Sequence, residues 1–160
     1  MARRDRRCVF LDRDGVINVP PPPGDYLRRW EDFALFPAIV DWIRLFNALD
    51  LLVIVVTNQR GVARDLMPLA EVERIHANMI ELLASRGARI DDVFFCPHDN
   101  GTCDCRKPLP GLVYRARDKW GIDLGSSLTI GDSVTDEQLA QRCGMRFVAV
   151  RDGGIIDSLR

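Results

Sequence analysis

Short apolar blocks recur along the chain at intervals that leave room for a helix between one block and the next. The runs at Arg7–Leu11, Leu51–Val56, Asp92–Cys96, Ser127–Ile130 and Arg146–Val150 predict strands. Four of the five are rich in Val, Ile, Leu or Phe and are bounded by polar residues or glycine. Between the blocks the spacing becomes helical. Pro37 suits a first helical turn, after which Ile39, Val40, Ile43, Phe46 and Leu49 share one face. Val72, Ile75, Met79 and Leu82–Leu83 repeat the pattern. Pro110 and Gly111 open a third helix around Leu112, Val113, Ala116 and Trp120, and a short fourth covers Thr135–Cys143.

Strands alternating with helices predict an α/β fold, a doubly wound, mainly parallel, Rossmann-like sheet with helices on both faces. In such a fold ligands gather at the carboxyl ends of the strands. With 160 residues, 47% of them hydrophobic, and no repeat or linker, one domain over residues 1–160 is expected. The prolines at Pro20–Pro23 predict a stiff loop after the first strand.

Charge narrows the partners. The 22 basic and 23 acidic side chains leave a formal charge of -1, so no global field draws the chain to nucleic acid or to an anionic membrane. An anionic ligand must be held by local groups. No apolar run approaches the roughly 20 residues that span a bilayer, and the basic start runs straight into the first strand; a cytoplasmic monomer with a solvated N-terminal tail is expected.

The predicted strand ends carry the candidate chemistry. In FLDRDGVIN, Asp12 and Asp14 lie two residues apart, on one face of an extended strand, just before Gly15 permits a turn. Two carboxylates so close repel unless a cation lies between them or one holds a proton, although turns also collect aspartate for other reasons. VVTNQRG delivers Thr57 and Asn58 to the same rim, and TIGDSVTD delivers Asp132 and Asp136. Asp136 suits either metal support or the start of a helix capped by Ser133, Thr135 or Asp132. Lys107, ahead of the third helix, brings a positive point charge.

A second cluster is C-x-H-x4-C-x-C, formed by Cys96, His98, Cys103 and Cys105. These ligand types suit a closed tetrahedral zinc site, a redox pair being the other use of clustered thiols. Cys8 and Cys143 fall in strand and helix patterns and read as small core residues, and His76, on the second helix, reads as a surface or internally satisfied side chain.

DRDGVIN, the strand-terminal Thr57, Lys107 in CRKP, and GDSVTD resemble, in order and spacing, the four motifs of the haloacid dehalogenase-like (HAD) phosphatases. FLDRDGVIN, TNQRGVAR and CPH…CDCRKP look like the small zinc-containing branch that acts on heptose 1,7-bisphosphates and histidinol phosphate; GVINV and GVAR look closer to the heptose group. The resemblance implies Asp12 as nucleophile, Asp14 as general acid and base, and Thr57 and Lys107 as catalytic phosphate contacts. It further implies Mg²⁺ on Asp12, Asp132 and the Asp14 main-chain carbonyl, and a structural Zn²⁺ on the cysteine and histidine cluster. No segment is long enough for a cap domain. Substrate selection then falls to the loops Val19–Phe33 and Gln59–Pro68 and to the cysteine loop, with Asn58, Arg60, Arg64 and Arg106 gripping a small phosphate ester such as a sugar bisphosphate. A nucleic-acid-binding module built on the cysteine loop is the reading from another class, and near-neutral charge with only 8% aromatic residues counts against it.

Overall fold

The alternation within each predicted strand sorts side chains onto two opposite sheet faces, and both faces are apolar. In the computed structural model, which describes residues 5–157 and 159, the strands are β1 (Cys8–Leu11), β2 (Leu52–Asn58), β3 (Asp92–Cys96), β4 (Leu128–Gly131), β5 (Arg146–Arg151) and β6 (Gly154–Ile156). The helices are α1 (Pro37–Ala48), α2 (Leu69–Ser85), α3 (Gly111–Trp120) and α4 (Val134–Cys143). The strands form one sheet in the order β3-β2-β1-β4-β5-β6, parallel throughout except for β6, which pairs antiparallel with β5.

Cys8 and Phe10 of β1, with Leu52, Ile54 and Val56 of β2, pack on Leu112, Val113 and Ala116 of α3 and on Leu139, Ala140 and Cys143 of α4. The alternate residues Val9, Leu11, Val53 and Val55 pack on Ile39, Val40 and Ile43 of α1 and on Met79 and Leu83 of α2. One pair of helices therefore covers each face, as two apolar faces require. Cys8 and Cys143 are core residues, as expected.

Three elements escaped the sequence reading: the edge strand β6 and two 3-10 turns, at Trp30–Asp32 and Leu124–Ser126. Each is only 3 residues long, too short to display a period. The proline stretch leads into a turn in which the Asp25 amide donates to the Pro22 carbonyl. No separate cap domain is present among the described residues, and no helix there is long and apolar enough to cross a membrane. Residues 1–4 of the predicted basic tail lie outside the described residues.

Strand order reverses at β1, which lies between β2 on one side and β4 on the other. Connections from these strands leave the sheet in opposite directions, and a crevice opens above their carboxyl ends.

Candidate active site

The crevice collects the predicted carboxylates. Asp12 directly follows β1 and is tied to the neighbouring strand by its amide, which donates to the Ile130 carbonyl at 3.2 Å. Asp132 directly follows β4. Gly15, at φ +88, turns the chain so closely beneath Asp132 that a Cβ there would overlap the Asp132 carboxylate. Gly131 is crowded in the same way by Asp136. Carboxylate oxygens of Asp12, Asp132 and Asp136 all lie within 4.8 Å of one another.

One buried ammonium answers them. Lys107 Nζ donates to the Val56 carbonyl at 2.9 Å and to Asp136 Oδ1 at 2.7 Å, and it stands 3.0 Å from Asp12 Oδ1. Burial alone favours the neutral amine, but Asp12 and Asp136 outweigh it and raise the lysine pKa. Asp12 moves upward because burial and the Asp136 and Asp132 charges outweigh the help from Lys107. Burial and Asp136 lift Asp132 to about 6. One lysine thus leaves part of the negative charge uncompensated, and a divalent cation among oxygen ligands fits that deficit.

Asp136 is fully buried and committed on both oxygens, Oδ1 to Lys107 and Oδ2 to the Ser133 hydroxyl at 2.8 Å. Ser133 is also the N-cap of α4, accepting from the Asp136 amide. Asp136 therefore sits in the first turn of a helix capped by Ser133 and pairs with the lysine, and it also belongs to the carboxylate group that could hold a metal ion. Asp14 stands apart from the three clustered carboxylates, gripped by Arg13 and Asn18.

Asn58, expected against a phosphate, is paired with the main chain of Lys107 and lines the cleft beside it. Its Oδ1 accepts from the Lys107 amide at 2.9 Å and its Nδ2 donates to the Lys107 carbonyl at 3.2 Å. Thr57 is buried, and its hydroxyl accepts from Gln59 Nε2 at 3.0 Å. The specificity arginines lie on the predicted loops: Arg60 Nε donates to Asp99 Oδ1, Arg64 reaches the Tyr26 hydroxyl at 3.4 Å, and Arg106 Nη1 is buried with no partner. Arg106 and Lys107 line an open cleft of ≈ 380 Å³ with Asn58, Asn100 and Thr135. A larger hollow of ≈ 620 Å³ between β5, β6 and the C-terminal residues is lined by none of these groups.

The second cluster also converges. Cys96 Sγ lies 3.4 Å from His98 Nδ1 and 3.6 Å from Cys103 Sγ, and His98 Nδ1 lies 3.2 Å from Cys105 Sγ. A tetrahedron with Zn–S of about 2.3 Å and Zn–N of about 2.0 Å has edges of about 3.5 to 3.8 Å, close to this spacing. Burial opposes ionisation of Cys103, yet the amides of Cys105 and Arg106 draw its thiol down to about 7. The donor set fits zinc, with His98 presenting Nδ1.

Two participants were missed, Arg13 and Gln59. Arg13 is fully buried and pairs with Asp14 and with His76, and Gln59 links Thr57 to the vicinity of Asp14. His76 is internally satisfied, one of the two readings open to it. A charged residue between two motif aspartates reads as solvated, so only the burial of Arg13 reveals its part.

A family model described as HAD-hydrolase-like matches residues 104–156. The chain is 42% identical over 164 residues to a D-glycero-alpha-D-manno-heptose-1,7-bisphosphate 7-phosphatase of Mycobacterium tuberculosis, covering 94% of this chain and 84% of the relative. A D-glycero-beta-D-manno-heptose-1,7-bisphosphate 7-phosphatase of Rhodopseudomonas palustris is 40% identical over 148 residues, covering 88% and 81%. The crystal structure of D,D-heptose 1,7-bisphosphate phosphatase from B. bronchiseptica, complexed with magnesium and phosphate, superposes with a TM-score of 0.84 at 33% identity, covering 92% of this chain and 83% of that one.

Proposed function

Because the chain belongs to the HAD-like hydrolases, in the group of the heptose-1,7-bisphosphate 7-phosphatases, we propose that it removes the C7 phosphate from a D-glycero-D-manno-heptose 1,7-bisphosphate. The observation that carries the reading is the triangle in which the Lys107 ammonium contacts both Asp12 and Asp136 while Asp132 closes the far side. That triangle suits a site where a carboxylate must approach an anion.

Asp12 attacks phosphorus, the bond from phosphorus to the sugar oxygen breaks, and an aspartyl phosphate forms. Asp14 gives a proton to the departing alkoxide and then takes one from the water that cleaves the acyl phosphate, so free phosphate leaves and both carboxyl groups return to their starting states. Lys107 stabilises charge on the phosphoryl oxygens, with the Thr57 hydroxyl contributing a donor. Asn58 acts mainly by pinning the Lys107 main chain. Asp12, Asp132 and the Asp14 main-chain carbonyl would hold Mg²⁺, which would supply the charge that offsets repulsion between carboxylate and phosphate. Asp136 serves as the brace for Lys107.

Arg60, Arg64 and Arg106 bind the distal phosphate, a role supported by the unpartnered Arg106 nitrogen at the cleft. Cys96, His98, Cys103 and Cys105 would hold Zn²⁺, which would fix the loop that ends in Arg106 and Lys107. The test is phosphate release from both anomers of the heptose bisphosphate, histidinol phosphate and other sugar phosphates. Heptose bisphosphates should be preferred, and Asp12→Asn should lower turnover by about 10⁴-fold or more while keeping the native circular dichroism spectrum. Comparable rates on every ester would refute the substrate, and an active Asp12→Asn protein would refute the nucleophile.

A further inference from the structure

Arg13, between the two motif aspartates, is 0% exposed, and a buried guanidinium needs acceptors because it cannot shed its proton. It finds two. Nε and Nη2 donate to Asp14 Oδ1 at 3.1 and 3.0 Å, and Nη2 also reaches Oδ2 at 3.1 Å. Nη1 meets His76 Nε2 at 3.0 Å.

Since arginine can only donate, His76 Nε2 must be the acceptor, which requires a neutral imidazole with its proton on Nδ1. His76 comes from the middle of α2, is 5% exposed, and stands edge-on to Phe95 at 5.2 Å between ring centres. Burial, followed by the Arg13 charge, pushes its pKa down to about 3, in keeping with that neutral state. Asn18 Nδ2 also donates to Asp14 Oδ1, at 2.9 Å. Oδ1 therefore accepts three hydrogen bonds, while Oδ2 has Arg13 and only a long contact, 3.5 Å, with Gln59.

We infer that His76 and Arg13 are positioning residues which lock the Asp14 carboxyl group, with Oδ1 saturated and Oδ2, the less encumbered oxygen, left to exchange the proton. The inference rests on the acid and base role proposed for Asp14. A carboxyl group free to rotate would present either oxygen, and a fixed one presents the same atom in both half-reactions. Helix α2, which supplies none of the clustered carboxylates, thereby acts on the chemistry through Arg13.

The test compares His76→Phe, which removes the acceptor, with His76→Gln, whose carboxamide oxygen can take its place. Two esters are used: a heptose bisphosphate, whose alkoxide needs protonation, and p-nitrophenyl phosphate, whose leaving group departs without it. His76→Phe should lower kcat on the sugar ester by about tenfold, a fraction of what a general acid contributes, with KM changed by less than about twofold. On p-nitrophenyl phosphate only the first half-reaction escapes the need for Asp14, so the single-turnover rate of p-nitrophenol release should fall by less than about twofold, and His76→Gln should recover most of the sugar activity. A single-turnover release of p-nitrophenol slowed as much as the sugar reaction, or no rescue by glutamine, would overturn the inference. Nitrogen-15 NMR of the wild-type protein gives a readout that needs no turnover: an unprotonated His76 Nε2 at neutral pH supports the lock, and a proton on that nitrogen overturns it. A wild-type protein inactive on both esters would instead count against the functional reading, while the NMR result still judged the lock.

Discussion

Asp132 keeps its place because the residue opposite it has no side chain. At Gly15 a methyl group would occupy the space of the Asp132 carboxylate, and the backbone there, at φ +88, is one that L residues rarely adopt. Gly15→Ala should push Asp132 away from Asp12, lowering kcat by about 10²-fold or more and raising the Mg²⁺ concentration needed for half-maximal rate, as a metal titration of activity would register. His76 offers a residue-scale prediction about stability. Its native pKa is depressed from 6.5 to about 3, so below 6.5 the unfolded chain binds a proton that the native protein does not. Stability is whole above 6.5 and falls by about 1.4 kcal/mol per pH unit as pH drops toward 3. Between pH 7 and pH 5 the wild type should lose about 2 kcal/mol more than His76→Gln in urea unfolding.

At the scale of elements, the end of β2 and the cysteine loop work as one unit. β3 delivers Cys96, the loop supplies His98, Cys103 and Cys105, and the next two residues are Arg106 and Lys107, the latter pinned to β2 through the Asn58 amide. A strong zinc chelator, or Cys103→Ser, should therefore cost activity and thermal stability together. Asn58→Ala should keep its metal and its melting temperature within a few degrees while losing about tenfold or more in kcat. Atomic absorption alongside calorimetry separates the two cases. These elements also mark how far sequence patterning reaches. The five parallel strands and four helices were readable because each is long enough to show a period, and their order implies which strand ends meet. Asp12, Thr57 and Asp132 follow from that order because they end buried strands, whereas Lys107 was legible only through the motif resemblance and the zinc ligands through their C-x-H-x4-C-x-C spacing. Arg13 and Gln59 were not readable, because a polar side chain next to a motif looks the same whether it faces water or a buried carboxylate. β6 is equally silent, its 3 residues lying just beyond a turn.

Over the whole molecule the sheet brings together charges that it cannot neutralise with protein groups alone, and this should appear as a pH-dependent response to metal. Burial and neighbouring carboxylates lift Asp132 to about 6 and move Asp12 upward as well. A carboxylate whose native pKa is raised contributes stability that is complete below its unfolded value of 3.8 and is lost as pH rises through the native value. Without metal, these two groups therefore weaken the protein between about pH 4 and 6, with Asp12 extending the loss further toward neutrality. A divalent cation competes with the same protons, so its stabilising effect should be small near pH 4 and grow across this window. The melting temperature measured with and without saturating Mg²⁺ should diverge as pH rises. The divergence should level off once both carboxylates are ionised, and Asp132→Asn should shrink it by removing one ligand and one of the raised groups. A Mg²⁺ shift that is constant with pH would mean that the ion binds away from the strand ends, and the reading of the crevice as a metal-dependent phosphoryl-transfer site would lose its electrostatic basis.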